Sequence, residues 1–466
     1  MIISISAKRP QAEAVVLAEA AAAVTRGHFM SKVSDNKISA ALATATYTLL
    51  GGISPAPVQA QEEPGWDYNT SLLFYGEDND RVQDLSVSVL ATRTFLDDRM
   101  LTLGLTVDTL TGATPHGGLQ QTVAQTFTRP SGNAVFTTPA NTLPLDDSFL
   151  DTRVAVSANW QQPLGRLYQL SYGGSASKEY DYTHLGVNAK LSRDFNNRNT
   201  TVSAGLAFSA DSIDAVGGAP VSLSSMLDVG DLSNRLGGQD KDIVDVVLGV
   251  TQVVSRNLVV QANYSFSDSS GYLNDPYKIV SIVDAVTGDV VPRTPPPGVS
   301  GPSHEYVFEG RPDTRTKHSF YGQAKYYMGG KVLDASYRYM TDDWDIDSHT
   351  IDLRLRWPMG ESRYLEPHLR FYTQNEANFY QIGLVNGEPL PAFASNDYRL
   401  GDFDAITAGL KYGWETRNGN EMSVRLELYQ QRGNIPADRQ FGNQVGLVQY
   451  PDLDAVIAQF SYRFGR

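Results

Sequence analysis

The sequence predicts an all-β protein: a closed antiparallel transmembrane β-barrel of about 16 strands, with short periplasmic turns and long extracellular loops. Three observations predict it. Apolar and polar residues alternate in long runs from Trp66 to the end of the chain, the period-two signature of strands with one apolar face. The connections between runs are alternately short and long, as in barrels that cross an outer membrane. Four of the five tryptophans, all but Trp344, fall beside the short connections, where amphipathic rings would gather at a membrane–water interface.

The elements follow in chain order. Residues 30–60 read as a cleavable signal peptide: Lys32 and Lys37 open it, 38–53 is apolar but too short to span, and Val58-Gln59-Ala60 offers a small-residue cleavage site before Gln61. Residues 1–29 precede this complete signal and stop just before Met30, so they are expected to be a mis-assigned N-terminal extension. The barrel then occupies 61–466. Strands are expected near 66–76, 82–96, 100–111, 150–161, 166–177, 182–194, 199–211, 241–254, 257–267, 316–328, 331–341, 348–358, 362–374, 403–415, 420–432 and 453–464. Each reaches the roughly ten residues that a tilted strand needs to cross a bilayer.

Turn residues such as Asp97-Asp98-Arg99, Pro163-Leu164-Gly165, Gly329-Gly330 and Asn418-Gly419 fill the short connections, where they supply tight-turn geometry. Long connections run over 112–149, 212–240, 268–315, 375–402 and 433–452. Within 268–315, YKIVSIVDAV followed by GDVVP reads as a hairpin that either enters the lumen or projects as a lid. Trp66, Phe95, Trp160, Trp357, Trp414 and Phe464 form the expected periplasmic aromatic girdle, and Phe74, Phe208, Phe266, Tyr339 and Phe371 mark the opposite end. The final strand, with Phe460, Tyr462 and Phe464 on one face, resembles the C-terminal signal read by the barrel-assembly machinery, although Gly465-Arg466 follow the last aromatic.

Composition narrows the function. The chain has no cysteine, which excludes disulfides, thiolate metal sites, a cysteine nucleophile and covalent haem attachment. A net charge of −14 argues against nucleic acid as a partner. Charged residues at 19% and mean hydropathy of −0.28 suit a barrel, since only alternate strand residues need face lipid.

The stretch YRYMTDDWDIDSHTIDLRLRWPMGESRYLEPHLRFYTQNEANFY, residues 337–380, goes beyond class-level patterning. It resembles a family of uncharacterised Gram-negative outer-membrane β-barrels known only as a domain of unknown function. Tyr337-Arg338-Tyr339, Asp342-Asp343-Trp344, Ser348-His349-Thr350, Leu369-Arg370-Phe371-Tyr372 and Phe379-Tyr380 carry the likeness, and Asp345 stands where the family pattern has glycine. Residues 178–201 also resemble the family, and the likeness extends over most of the mature chain. It implies a cell-envelope barrel and brings no agreed activity or cofactor.

Period two places Lys325, Arg338, Asp352, Arg354, Arg356, Glu366, His368, Arg370, Lys411, Arg425 and Glu427 on the lumen face. Such a wall is either a charged constriction that selects solutes or an ion-pair network that stiffens the barrel. Asp342, Asp343, Asp345 and Asp347 surround Trp344 and could ligate a hard cation, but the EF-hand spacing is absent and a solvated acidic loop is expected. No histidine has metal-ligand spacing, and an enzyme is not expected. The leading expectation is a porin-like channel for small hydrophilic solutes. The alternative is a loop-plugged, non-conducting barrel that serves as an envelope scaffold or binds a partner. An outer-membrane hydrolase using His349 or His368 is third. Expected partners are outer-membrane lipid, lipopolysaccharide, the assembly machinery and a second copy of the chain. Edman sequencing of the mature protein is expected to start at Gln61, and a mature chain that retains Ala22 would overturn the signal assignment.

Overall fold

Each of the sixteen alternating segments forms a strand and pairs antiparallel with its neighbours. The computed structural model describes residues 65–79, 81–435, 439 and 442–465. The expected signal at 30–60 and the extension at 1–29 lie outside the described residues. The strands are β1 (Gly65–Glu77), β2 (Gln83–Thr94), β3 (Met100–Pro115), β4 (Leu145–Leu164), β5 (Tyr168–Lys178), β6 (Tyr182–Phe195), β7 (Thr200–Ile213) and β8 (Gln239–Ser255). They continue with β9 (Leu258–Gly271), β10 (Thr314–Met328), β11 (Lys331–Asp342), β12 (Asp347–Pro358), β13 (Arg363–Gln374), β14 (Phe403–Glu415), β15 (Glu421–Gly433) and β16 (Leu453–Phe464).

The ring closes because β1 pairs with both β2 and β16, with Tyr68 opposite Phe464 and Glu77 opposite Ala455. Closure satisfies strand N–H and C=O groups that lipid could not. β3 and β4 run past their expected ends through a register shift between Gly112 and Thr114. Gly112 sits at φ 119°, and a Cβ there would lie 2.3 Å from the carbonyl oxygen of Arg81. The shift therefore depends on a glycine.

Period two sorts the side chains as expected. Leu185, Val187, Leu206, Phe208, Leu426 and Leu428 lie on the outer face, with Leu206 and Leu428 each 60% exposed. An apolar surface this extensive is the mark of lipid contact. Trp66, Trp160, Trp357, Trp414 and Phe464 stand on this outer face at the turn ends of their strands, and Phe95 directly follows β2. Tyr68 stacks between Trp66 and Phe464 at 5.9 and 5.2 Å, and Phe95 meets Trp160 at 5.4 Å. Arg93 lies over Trp66 and Phe95, and Lys331 is 3.9 Å above Trp357. Rings backed by cations suit the headgroup level.

The described residues of the long loops pack on one another. Residues 125–128 pair with 135–138. Segment 279–283 pairs antiparallel with 306–308 and parallel with 383–385, joining two loops in one small sheet. The expected hairpin forms at 282–291, with Val291 N donating to Ile282 O at 2.8 Å and Asp284 N to Asp289 O at 2.9 Å. Leu119, Phe127, Ile279, Val283, Tyr306, Trp344, Phe379 and Tyr380 come from four loops and share one buried core. Ile243 on the inner face of β8 joins that core.

A second buried cluster lines the barrel itself. Leu73 and Tyr75 of β1, Phe403 and Ala405 of β14, Tyr429 of β15, and Leu453, Ala455 and Ile457 of β16 pack with Tyr398 and Tyr450 from the loops. All eight strand residues have inward parity at the loop ends of their strands. Further towards the turns the same faces become polar: Asn69 and Ser71, Thr407 and Lys411, Glu427 and Arg425, then Gln459. The inner wall thus carries an apolar collar at the loop end and a polar lining beneath it. Leu206→Arg, at the middle of the lipid face of β7, is expected to lower unfolding stability in lipid vesicles by about 2–4 kcal/mol. A change below 0.5 kcal/mol would place that face in water.

Candidate functional site

The eleven wall residues singled out in the sequence all take inward parity, and the structure joins most of them in one network across β12–β15. His368 lies between two carboxylates, with Nδ1 2.7 Å from Glu427 and Nε2 2.9 Å from Asp352. Arg370 Nε donates to Asp352 at 2.9 Å, and Arg354 lies 3.3 Å from the same carboxylate. Arg425 bonds Glu427 at 3.0 Å and reaches Glu366 at 3.6 Å. His368 and Glu427 stand on β13 and β15 and meet across Gly409 of β14. A Cβ at Gly409 would come within 2.5 Å of Glu427 Cγ, so only glycine leaves that path open.

Three arginines therefore face three carboxylates around one imidazole, a wall in which charges answer one another. Nearer the turns, Arg356 reaches Glu421 at 3.5 Å and lies 3.6 Å over the Tyr364 ring, which Lys411 also approaches at 5.5 Å. Lys325 pairs with Asp334 at 3.4 Å while its side chain stays 41% exposed, and Arg338 is exposed to the lumen over Tyr321. These inward charges are accessible from the lumen. His349 is on the outer face, bonded to Tyr337 Oη at 2.7 Å, and takes no part in the wall.

Above the wall, a second ionic network ties the loops together. Arg311 bonds Glu309 at 2.6 Å and Asp397 at 2.8 Å, while Arg399 bonds Asp275 at 2.7 Å and also Asp397. Ser395 donates to Glu309 at 2.5 Å, and Lys278 donates to the carbonyl of Pro115 at the end of β3. Glu309, Arg311, Asp275, Asp397 and Lys278 are all buried. Burial pushes the Asp275 carboxyl up to about 7 even with Arg399 and Lys278 beside it. Asp397 suffers the same burial, yet Arg399, Lys278 and Arg311 hold it well below the usual carboxylate range. Sequence reasoning missed this network because its partners come from 272–313 and 375–402, and no local spacing announces them.

The acidic loop is built around its tryptophan. Trp344 is buried, its Nε1 donates to Thr314 O at 2.9 Å, and its ring meets Phe379 edge-on at 5.0 Å. Arg315 lies 4.2 Å over the ring and bonds the buried Asp342 at 2.6 Å. Asp343 accepts from Thr316 N, Asp345 from Asn378 and Asp347 from Tyr339. The four carboxylates thus turn to separate partners and do not converge on a cation. The loop is an anchored tryptophan turn: Asp342 is buried, while Asp343, Asp345 and Asp347 stay exposed, as a solvated acidic loop would have them. Asp345 adopts φ 64°, the left-handed conformation that favours glycine, which explains why the family pattern has glycine there. Among the described residues, Asp151, Glu179 and Asp181 do converge: their oxygens lie within 4.8 Å of one another at the loop end of β4–β6. An all-oxygen set of this kind suits a hard cation.

Trp344→Ala is expected to destabilise the loop assembly by about 3–5 kcal/mol. Limited proteolysis should then cut the loops at least tenfold faster while the barrel stays heat-modifiable. Unchanged loop cleavage would show that Trp344 is not the anchor.

No curated protein matches the chain in sequence. Among solved structures it is similar to a bacterial polysaccharide outer membrane secretin at 9% identity and a TM-score of 0.41, covering 86% of this chain and 97% of that one. It is similar to the outer membrane protein opdK from Pseudomonas aeruginosa at 11% identity and a TM-score of 0.37, covering 87% and 100%. It is also similar to the ferric enterobactin receptor PfeA at 8% identity and a TM-score of 0.40, covering 79% of this chain and 54% of that receptor. The chain thus spans about half that receptor's length. Residues 39–464 match the family described as "Protein of unknown function (DUF3570)", and the chain belongs to that family.

Proposed function

We propose that the chain is an outer-membrane barrel plugged at its loop end by its own loops, with a wet charged lumen open at the turn end. On this reading it serves as an envelope scaffold or binds a partner, and it is not the porin-like channel that inward charge alternation led us to expect. The observation that carries the proposal is the apolar collar: Leu73, Tyr75, Phe403, Tyr429, Leu453 and Ile457 point inward and are buried beneath Tyr398 and Tyr450. An open aqueous pore has no use for an apolar inner wall, since such a wall would face water at a cost of roughly 25 cal/mol per Å². Loops that fill the upper lumen turn that cost into a gain.

The pairing of the wall supports the same reading. Asp352, Glu366 and Glu427 are engaged by Arg354, Arg370, Arg425 and His368, so the wall offers little uncompensated field to a permeating ion. Beside the wall, Arg338 and Lys325 stay exposed on the lumen face, where a polar segment entering the lumen would meet them.

Planar-bilayer recording of the purified full chain tests the proposal. The wild-type barrel is expected to give no discrete channel steps, and steps with charge selectivity would overturn the plugged reading. Arg311→Met removes the cation between Glu309 and Asp397 and is expected to cost the loop assembly about 3–5 kcal/mol, the usual penalty for stranding a buried charge. Steps should then appear in the variant while the barrel remains heat-modifiable.

A further inference from the structure

We infer that Ser175, His184 and Asp211 form a nucleophilic site on the inner wall that hydrolyses small carboxylic esters. Ser175 Oγ lies 3.1 Å from His184 Nε2, and His184 Nδ1 lies 2.7 Å from Asp211 Oδ1. The three residues stand on β5, β6 and β7, three adjacent strands, all on the lumen face. Hydroxyl, imidazole and carboxylate joined in that order are the arrangement that activates a serine, recognised by geometry and not by chain position.

The surroundings fit the roles. Asp211 is buried and also engages the Tyr182 hydroxyl and Lys241 Nζ, the latter at 3.4 Å, which fixes the carboxylate against the imidazole. With Nδ1 donating to Asp211, Nε2 is left to accept the Ser175 proton. Asp211 acts through His184 and is a positioning residue. Ser175 is only half-buried, so lumen solutes can reach it. Gly186 stands directly opposite Ser175 across the strand pair, and a Cβ there would lie 2.9 Å from Ser175 Oγ and 3.0 Å from His184 Nε2. Glycine at this one position keeps space in front of the pair.

The chemistry balances with water as the only co-reactant. Ser175 Oγ attacks the ester carbonyl carbon as its proton passes to Nε2. The tetrahedral intermediate then breaks its C–O bond, and the alcohol leaves with that proton. Water attacks the acyl-serine, gives a proton to Nε2, and the carboxylic acid departs as Ser175 regains its hydrogen. Neighbouring strand N–H groups are committed to the ladder, so the developing oxyanion faces lumen water. The site is therefore suited to slow turnover of a small ester entering from the turn end.

The test uses the full chain in detergent micelles with diisopropyl fluorophosphate and p-nitrophenyl acetate. Mass spectrometry is expected to place one diisopropylphosphoryl group on Ser175, and Ser175→Ala to abolish both the adduct and ester turnover. His184→Ala should slow labelling by roughly 100-fold or more. Asp211→Asn should slow it and also shift its pH profile, which a purely structural carboxylate would not do. Ser157→Ala, on the strand partner facing Ser175, should leave labelling unchanged. No adduct on Ser175 in a heat-modifiable wild-type barrel overturns the inference, as does equal labelling of the Ser175→Ala variant. Bilayer conductance is a separate readout, so this outcome and that of the plug are independent.

Discussion

Everything in this molecule follows from the need to pair backbone groups where no water can reach them. A strand in lipid must find a partner on both edges, and the pairing of β1 with β16 removes the last open edge. Once the ring is closed, period two dictates that each strand shows one face to lipid and the other to the lumen. The apolar belt and the charged wall are therefore two halves of one decision. Turn ends cost little, because Gly329-Gly330 or Asn196-Asn197-Arg198 already take the left-handed geometry that a tight reversal requires.

The inner wall is free of the lipid constraint, and its composition records what occupies the lumen at each level. Polar groups predominate beneath the loops, where ion pairs such as Asp352–Arg370 line the wall. Apolar groups take over at the loop ends of β1, β14, β15 and β16, where Tyr398 and Tyr450 cover them. The loops meet the remaining wall differently. Near β5–β8 their tyrosines, among them Tyr272 and Tyr277, pack with Tyr182 and Ile213 beside buried acids. The loop assembly is thus seated on an apolar crescent on one side and on hydroxyl–carboxylate contacts on the other. Its interior follows the ordinary logic of a soluble core, with a charge-balanced network of Arg311, Arg399 and Lys278 against Asp275, Glu309 and Asp397.

Legibility tracks the range of the physics. Strand existence is a local property, so alternation located all sixteen barrel strands, and strand parity placed Asp352, His368 and Arg370 on the correct face. Partner identity is non-local. Nothing in the spacing says that His368 will reach over Gly409 to Glu427, or that Arg311 will meet Asp397. The collar was legible in principle, since Leu73, Tyr75, Ala455 and Ile457 break the expected polarity of the lumen face at the strand ends. That break is a readable sign of loops entering a barrel. Trp344 was also readable: among the tryptophans it alone lay away from the girdle, and a lone indole in an acidic loop needs a burial site of its own.

The segment that carries the family likeness divides between three environments. Tyr337, Tyr339 and His349 form an aromatic patch on the outer face, with Tyr339 5.1 Å from His349. Arg338, Asp352 and Arg370 belong to the inner wall. Trp344, Asp342 and Phe379 pin the loops. These residues of the signature therefore have structural tasks in belt, wall or loop core. Ser175 and Asp211 lie outside both stretches that carry the resemblance, on strands whose recognisable features are otherwise generic; within 178–201 stand His184 and its neighbours Tyr182 and Gly186. Chemistry of this kind leaves no linear motif in a barrel, because adjacent strands bring together residues whose separation in sequence is set by turn and loop lengths rather than by the reaction.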